Sequence, residues 1–191
     1  MNYRSPIIIV PGEPNSIFFE IFFKSLKKLN IKSPIILITT KDLILKQTKK
    51  FKYKKKINII DIENIKYKTL NNSYLNIVNI NCKNLNSQKK ILSKSNKYIL
   101  NCFETAFYII KKYKFKKFIN GPVNKKKFLN KNYLGMTEYI SSKFRLKKNA
   151  MLIYNEKLSV CPLTTHLPLK YISKKINKVS IIEKVKLIDD F

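Results

Sequence analysis

Short β-branched runs alternate with longer amphipathic stretches along most of this chain, and that alternation narrows the possible folds more than any other feature. Ile7-Ile8-Ile9-Val10 ends at Pro11 and reads as a buried strand. Pro11-Gly12-Glu13-Pro14-Asn15-Ser16 then forms a turn, with Asn15 or Ser16 placed to cap a helix. Residues 17–29 carry apolar side chains at 17, 18, 21, 22, 26 and 29, which line one helical face. The pattern recurs as a strand at 34–38, a helix at 41–50, a basic connector at 51–56, and strands at 57–60 and 75–80. Residues 61–74 and 81–87 are asparagine-rich loops, and 88–113 reads as a helix with a weak point at 93–96. Its second part puts Ile99, Cys102, Ala106, Ile109 and Ile110 on one face. A strand at 117–120 follows, then a helix from Gly135 to about Phe144. A hairpin-like pair (150–154 and 157–163), a helical stretch near Leu169 and a last helix at 179–190 complete the reading. Strands alternating with helices predict an α/β layered fold with a mostly parallel sheet.

The chain has 191 residues and is 45% hydrophobic, enough for a real core in one domain or one large lobe. Its formal charge is +29, from 40 basic and 11 acidic residues. Such an excess commonly marks a nucleic-acid or anionic-membrane partner. Here nearly all of it is lysine, with only Arg4 and Arg145 as arginines, whereas base-edge recognition leans on bidentate arginine. Lysine, asparagine and isoleucine are inflated together along the whole chain, as AT-rich coding produces. The charge is therefore assigned to solvated lysine faces, with neither nucleic acid nor membrane expected as a partner. A competing RNA-binding reading rests on charge alone and requires affinity that falls steeply with salt. Cys82, Cys102 and Cys161 are widely spaced, odd in number and without a CxxC pair, which fits a reducing cytoplasm. The first apolar run is too short for a signal peptide or a membrane span.

His166 is the sole histidine, set in Thr164-Thr165-His166-Leu167-Pro168-Leu169. Pro168 stops a strand from running on, so His166 falls near a strand-to-loop junction, where open α/β sheets place ligands. It reads either as a ligand or acid-base group or as a histidine satisfied at the end of a buried strand. The three glycines, Gly12, Gly121 and Gly135, each fall where a strand-to-helix turn is expected, and they are expected to gather at one sheet edge with His166. Lys125 beside the second is either a point charge for phosphate or carboxylate, or the first of three surface lysines. Thr137 beside the third either offers its hydroxyl to a ligand or caps a helix.

These blocks resemble the 4-hydroxythreonine-4-phosphate dehydrogenase family of pyridoxal phosphate biosynthesis. Residues 6–14 resemble its opening strand and Gly-Asp-Pro turn. Asn120-Gly121-Pro122-Val123-Asn124-Lys125 resembles its Thr-Gly-Pro-Val-x-Lys block, and Gly135-Met136-Thr137-Glu138-Tyr139 its Gly-His-Thr-Glu-Phe block. Residues 164–169 match its Thr-Thr-His-x-Pro-Leu block, in the same order and with the same spacing. The resemblance implies the first lobe of an isocitrate/isopropylmalate-dehydrogenase-like fold, NAD as cofactor and a cytoplasmic homodimer with its site in a cleft. It implies a divalent metal ion (Zn, Mg or Co) with His166 as a ligand, and a substrate-binding role at positions 136 and 137. The implied reaction oxidises 4-phosphohydroxy-L-threonine, a small phosphorylated amino acid. The resulting β-keto acid loses carbon dioxide to give 3-amino-2-oxopropyl phosphate.

Departures from the pattern are specific. Met136 stands where the family has a substrate-binding histidine, and a thioether does not replace an imidazole as a polar partner. Glu13 replaces aspartate, and Asn15-Ser16 replaces Ala-Gly. The resemblance also implies a second lobe with two further metal histidines, absent from this chain, so the 191 residues alone are expected to lack turnover. The alternative reading is a catalytically inactive lobe that acts as a partner-binding module.

Overall fold

The computed structural model describes residues 4–66, 68–81, 91–129, 132–146, 148–165 and 167–190, with the backbone alone for 91–94. His166 and Cys82 lie outside the described residues. The chain divides into two compact units, Met1–Phe128 and Leu129–Phe191.

The first unit is built on β1 (Ile7–Val10), α1 (Phe18–Lys28), β2 (Ile35–Thr39), α2 (Lys41–Lys50), β3 (Ile57–Ile59) and β4 (Leu75–Asn79). It continues through α3 (Ile91–Tyr113), β5 (Lys117–Asn120) and α4 (Lys125–Phe128). The five strands form one sheet in the order β3-β4-β2-β1-β5, and every neighbouring pair is parallel. Parallel strands need crossovers, and the amphipathic stretches supply them. Residues of β1, β2 and β4 are buried because helices cover the sheet, which is why those strands read as unbroken apolar runs. The sheet core holds Ile8, Val10, Ile36, Leu37, Ile38 and Ile77, none measurably exposed. Phe103 of α3 packs against Phe107, Phe118 and Phe128. The weak point expected at 93–96 does not interrupt α3, where Ser95 is buried and its hydroxyl is bonded. Thr40 caps α2 by accepting from the Leu43 amide at 3.3 Å.

The second unit holds α5 (Met136–Lys143), two 3-10 turns (Leu169–Tyr171 and Ser173–Lys175) and α6 (Lys178–Asp189). A capping box between Asn177 and Ser180 starts α6. The expected hairpin strands reduce to one antiparallel bridge, Ile153 with Val160, closed by amide bonds of 2.8 and 2.9 Å. Met151, Ile153, Tyr154 and Leu158 are all exposed there, so no covering layer extends the ladder. Among the described residues, no helix is long and apolar enough to cross a membrane.

Candidate functional site

The strand order reverses at one place. From β1 the chain builds outward through β2 to β4 and β3, then returns to add β5 on the other side of β1. Ligand crevices of open α/β sheets form at such a switch point, outside the carboxyl ends of the strands. Here those ends are Pro11-Gly12-Glu13 and Gly121-Pro122-Val123-Asn124.

The two turns are pressed together. Gly12 adopts φ +76, and a Cβ there would lie 2.2 Å from the Pro122 carbonyl oxygen. A Cβ on Gly121 would lie 1.9 Å from the Pro11 carbonyl oxygen and 2.7 Å from the Phe18 ring. Backbone approach this close admits no side chain at either position. The Glu13 amide donates to the Pro122 oxygen at 2.8 Å, and the Gly121 amide to the Val10 oxygen at 2.7 Å. The Glu13 carboxylate then spans three elements, accepting from the Ser95 hydroxyl at 2.8 Å and from the Asn124 amide at 3.4 Å. Ser16, one residue before the α1 N-cap, donates to the Glu13 carbonyl oxygen at 2.8 Å and accepts from the Phe18 amide at 3.3 Å. A strand, a Gly-containing turn and a helix N-terminus in succession make a geometry that suits an anion. In this turn the Glu13 amide is committed to Pro122 and a carboxylate occupies its mouth, so it fastens β1 to β5. Lys125 is exposed at the start of α4, with Lys126 and Lys127 exposed beside it.

The second constellation lies within the second unit. Gly135 is the N-cap of α5, in extended backbone that any residue adopts, and the described element before it is the helix α4, not a strand. The expected gathering of glycine turns therefore holds for Gly12 and Gly121, while Gly135 begins a helix of the other unit. Thr137 is exposed and makes no cap bond on α5. It lines a cleft with Glu138, Asn149, Met151, Pro162, Leu163, Thr165 and Lys184. Met136, half-buried, is not among the lining residues. Thr137 and Thr165, 28 positions apart, thus line the same cleft, and Thr165 is the neighbour of His166 in sequence. The Lys184 ammonium donates to the Asn149 carbonyl oxygen, and the Asn149 side chain donates to the Ser141 hydroxyl at 3.1 Å. Glu138 Oε2 is buried and, among the described residues, has no hydrogen-bond partner. The cleft volume is about 40 Å³. That is room for a few waters or one end of a small polar molecule, well below the ~300 Å³ of a full ligand pocket.

Sequence reasoning missed Glu13 with Ser95, and Glu138 with Lys184. The first pair is 82 residues apart and carries no sequence signal. Among the described residues no group of three or more His, Cys, Asp or Glu side chains converges, so these residues do not by themselves build a metal site.

Residues 30–191 match the family described as pyridoxal phosphate biosynthetic protein PdxA. The 4-hydroxythreonine-4-phosphate dehydrogenase of Wigglesworthia glossinidia brevipalpis is 32% identical over 193 residues, covering 98% of this chain and 57% of that protein. The enzyme of the same name from Sulfurihydrogenibium sp. is 30% identical over 186 residues, covering 96% of this chain and 56% of its own. Solved structures of 4-hydroxythreonine-4-phosphate dehydrogenases share the fold. The Klebsiella pneumoniae protein superposes with TM-score 0.78 at 20% identity, over 100% of this chain and 59% of that one. The Burkholderia phymatum protein gives TM-score 0.78 at 17% identity, over 97% and 57%. This chain spans little more than half the length of the curated relatives it matches along its whole extent.

Proposed function

This chain belongs to the pyridoxal phosphate biosynthetic protein PdxA family, and on that footing we propose that it serves the oxidation of 4-phosphohydroxy-L-threonine. NAD as hydride acceptor, a divalent ion (Zn, Mg or Co) at His166, and decarboxylation to 3-amino-2-oxopropyl phosphate belong to this proposal. The carrying observation, beside the family match, is the cleft where Thr137 of one block meets Thr165 of another.

The substrate presents hydroxyl, ammonium, carboxylate and phosphate groups. In the cleft, the threonine hydroxyls donate or accept, and Glu138 Oε2 accepts. Lys184 sits as a point charge. A cleft of about 40 Å³ holds one end of such a molecule, so these residues orient the substrate, while the rest of its binding requires further groups. A divalent ion, when bound, would supply Lewis-acid stabilisation of the alkoxide. A single imidazole is a poor anchor for it, since catalytic sites use about three protein ligands.

The test is NADH absorbance with 4-phosphohydroxythreonine and added divalent metal, on the protein as its gene encodes it. Reduction of NAD that is abolished in His166→Ala, and that shows a raised KM in Thr137→Ala, supports the reading. Absence of turnover by the folded, metal-supplied whole protein overturns it. The 191-residue span by itself is expected to give no measurable turnover, and clear activity there that His166→Ala removes would show the span self-sufficient. A homodimer is also part of the proposal, supported by the exposed Met151, Ile153, Tyr154 and Leu158. A compact monomer at high concentration in the ultracentrifuge counts against it.

A further inference from the structure

Lysines that are evenly spread along the sequence are sorted by the fold. In a parallel sheet every strand starts at one end, and each crossover helix finishes there too. The segments that lead into β2, β3, β4 and β5 are residues 27–34, 49–56, 66–74 and 111–117. They contain lysines but no aspartate or glutamate, and the lysines are exposed. Glu13, Asp42 and Asp61, by contrast, follow the strands at the opposite end, where the exposed Lys41, Lys125, Lys126 and Lys127 share the surface with them.

Hydrogen bonds join the entering segments into one surface. Asn72 donates to the Ile31 and Ser33 carbonyl oxygens at 2.8 and 2.9 Å. Lys55 donates to the Asn72 carbonyl oxygen at 2.6 Å, and Lys27 to that of Phe51 at 3.2 Å. Lys117 donates to the Ser33 hydroxyl at 3.1 Å.

Part of this charge has a local use. Helices α1, α2 and α3 end here with lysines in their last turns, opposite a terminal dipole worth roughly half a negative charge each. The stretch Lys49-Lys50-Phe51-Lys52-Tyr53-Lys54-Lys55-Lys56 far exceeds what one helix end neutralises. Glu63, on the loop before this end, is held by Lys112 at 2.5 Å and offsets one charge. Aromatic side chains lie among the lysines: Phe51 and Tyr53 are half-buried and Tyr74 is 49% exposed.

Against the composition-based expectation of solvated lysine faces with no nucleic-acid partner, we propose that this end of the sheet binds single-stranded nucleic acid through its phosphates, without sequence preference. Lysine is a point charge suited to phosphate and lacks the planar fork that reads base edges. Tyr74 offers an exposed ring on which an unpaired base stacks, while the Phe51 and Tyr53 rings pack on Phe23. The surface is assembled from strand-entry loops, not from an amphipathic helix of the kind that lies in a membrane interface, which favours nucleic acid over lipid. It also lies at the opposite end of the sheet from the β1–β5 junction.

The experiment is fluorescence anisotropy of a labelled oligouridylate with the 191-residue chain across a salt series. Two triple variants of equal charge are compared, Lys49→Gln/Lys54→Gln/Lys56→Gln at the basic end and Lys41→Gln/Lys126→Gln/Lys127→Gln at the other. The first is expected to weaken binding about tenfold and to flatten the log–log salt slope by about 2, since each phosphate contact on a single strand contributes about 0.7. The second should bind within about twofold of the parent with an unchanged slope. Equal losses in both variants, no binding at low salt, or stronger capture by phosphatidylglycerol vesicles than by oligouridylate each overturn the proposal. Circular dichroism melts of both variants establish that a loss is not unfolding.

Discussion

The two units handle similar side chains in opposite ways. In residues 4–128, a set of isoleucine and phenylalanine side chains packs between the sheet and its helices, and Ile8, Ile36, Ile44 and Phe103 have no measurable exposure. In residues 129–190, α6 has no buried residue, and Leu158, Leu169 and Val179 are each at least two-thirds exposed. Apolar content alone does not create a core; a second layer to bury against does. The first unit contains both layers within itself, while the second holds its apolar surface outward.

The largest expected effect tests that contrast directly. Phe103→Ala should cost about 3–5 kcal/mol, because three neighbouring rings lose their packing partner around a fully buried site. Val179→Ala on α6 should change stability by no more than about 0.5 kcal/mol. Urea denaturation measures both, and equal losses would break the comparison.

Glycine substitutions come next. Gly121→Ala should cost about 1–3 kcal/mol, since the added carbon meets backbone on both sides and β1 and β5 must part to admit it. Gly135→Ala, at an extended N-cap, should cost only about 0.5–1 kcal/mol. A Gly135→Ala loss as large as that of Gly121→Ala would show that the second unit packs as tightly as the first.

A smaller gain should appear in both units. Lys52, Lys114 and Arg145 all have φ near +50 at helix ends, positions that commonly carry glycine. Lys114→Gly and Arg145→Gly should each stabilise by roughly 0.5–1 kcal/mol, the left-handed cost less the added freedom of the unfolded chain. Unequal gains in thermal melts would mean that burial, not local backbone, sets the cost.

The smallest effect is acid-dependent. The hydrogen bond from Lys112, then that from Tyr108, holds the Glu63 carboxyl below the usual carboxylate range. A lowered folded-state value means the contribution is present above the unfolded pKa and is lost as pH falls through the folded one. The pair is solvent-exposed, so the loss should be slight. Glu63→Gln should flatten the melting temperature against pH only in that acid window.

How much of this was legible follows the same division. The strands at 7–10, 35–39 and 75–79 read correctly from β-branched runs because helices bury them on both faces. Their order did not, since β4 inserts between β2 and β3 by packing that leaves no local mark. The glycine argument needed refining. This chain tolerates lysine and arginine at positive φ, so it keeps Gly12 and Gly121 where a Cβ would strike backbone, not merely where φ is positive. The hairpin-like pair at 150–163 shrank to the single Ile153–Val160 bridge because, among the described residues, nothing covers its apolar side. Thr137, singled out in the sequence, lines the cleft, while Glu138, which lines it too, was passed over because one carboxylate on a short helix looks like ordinary surface.

The junction between β1 and β5 also sets an order in time. β5 leaves the ribosome about 110 residues after its partner β1. At about 5–20 residues per second, the open side of β1 waits on the order of ten seconds for β5. Until then its Ile-Ile-Ile-Val edge is an unpaired apolar strand, the kind of edge on which chains aggregate. The late clasp of Gly121 onto Pro11 is therefore the step that covers this edge.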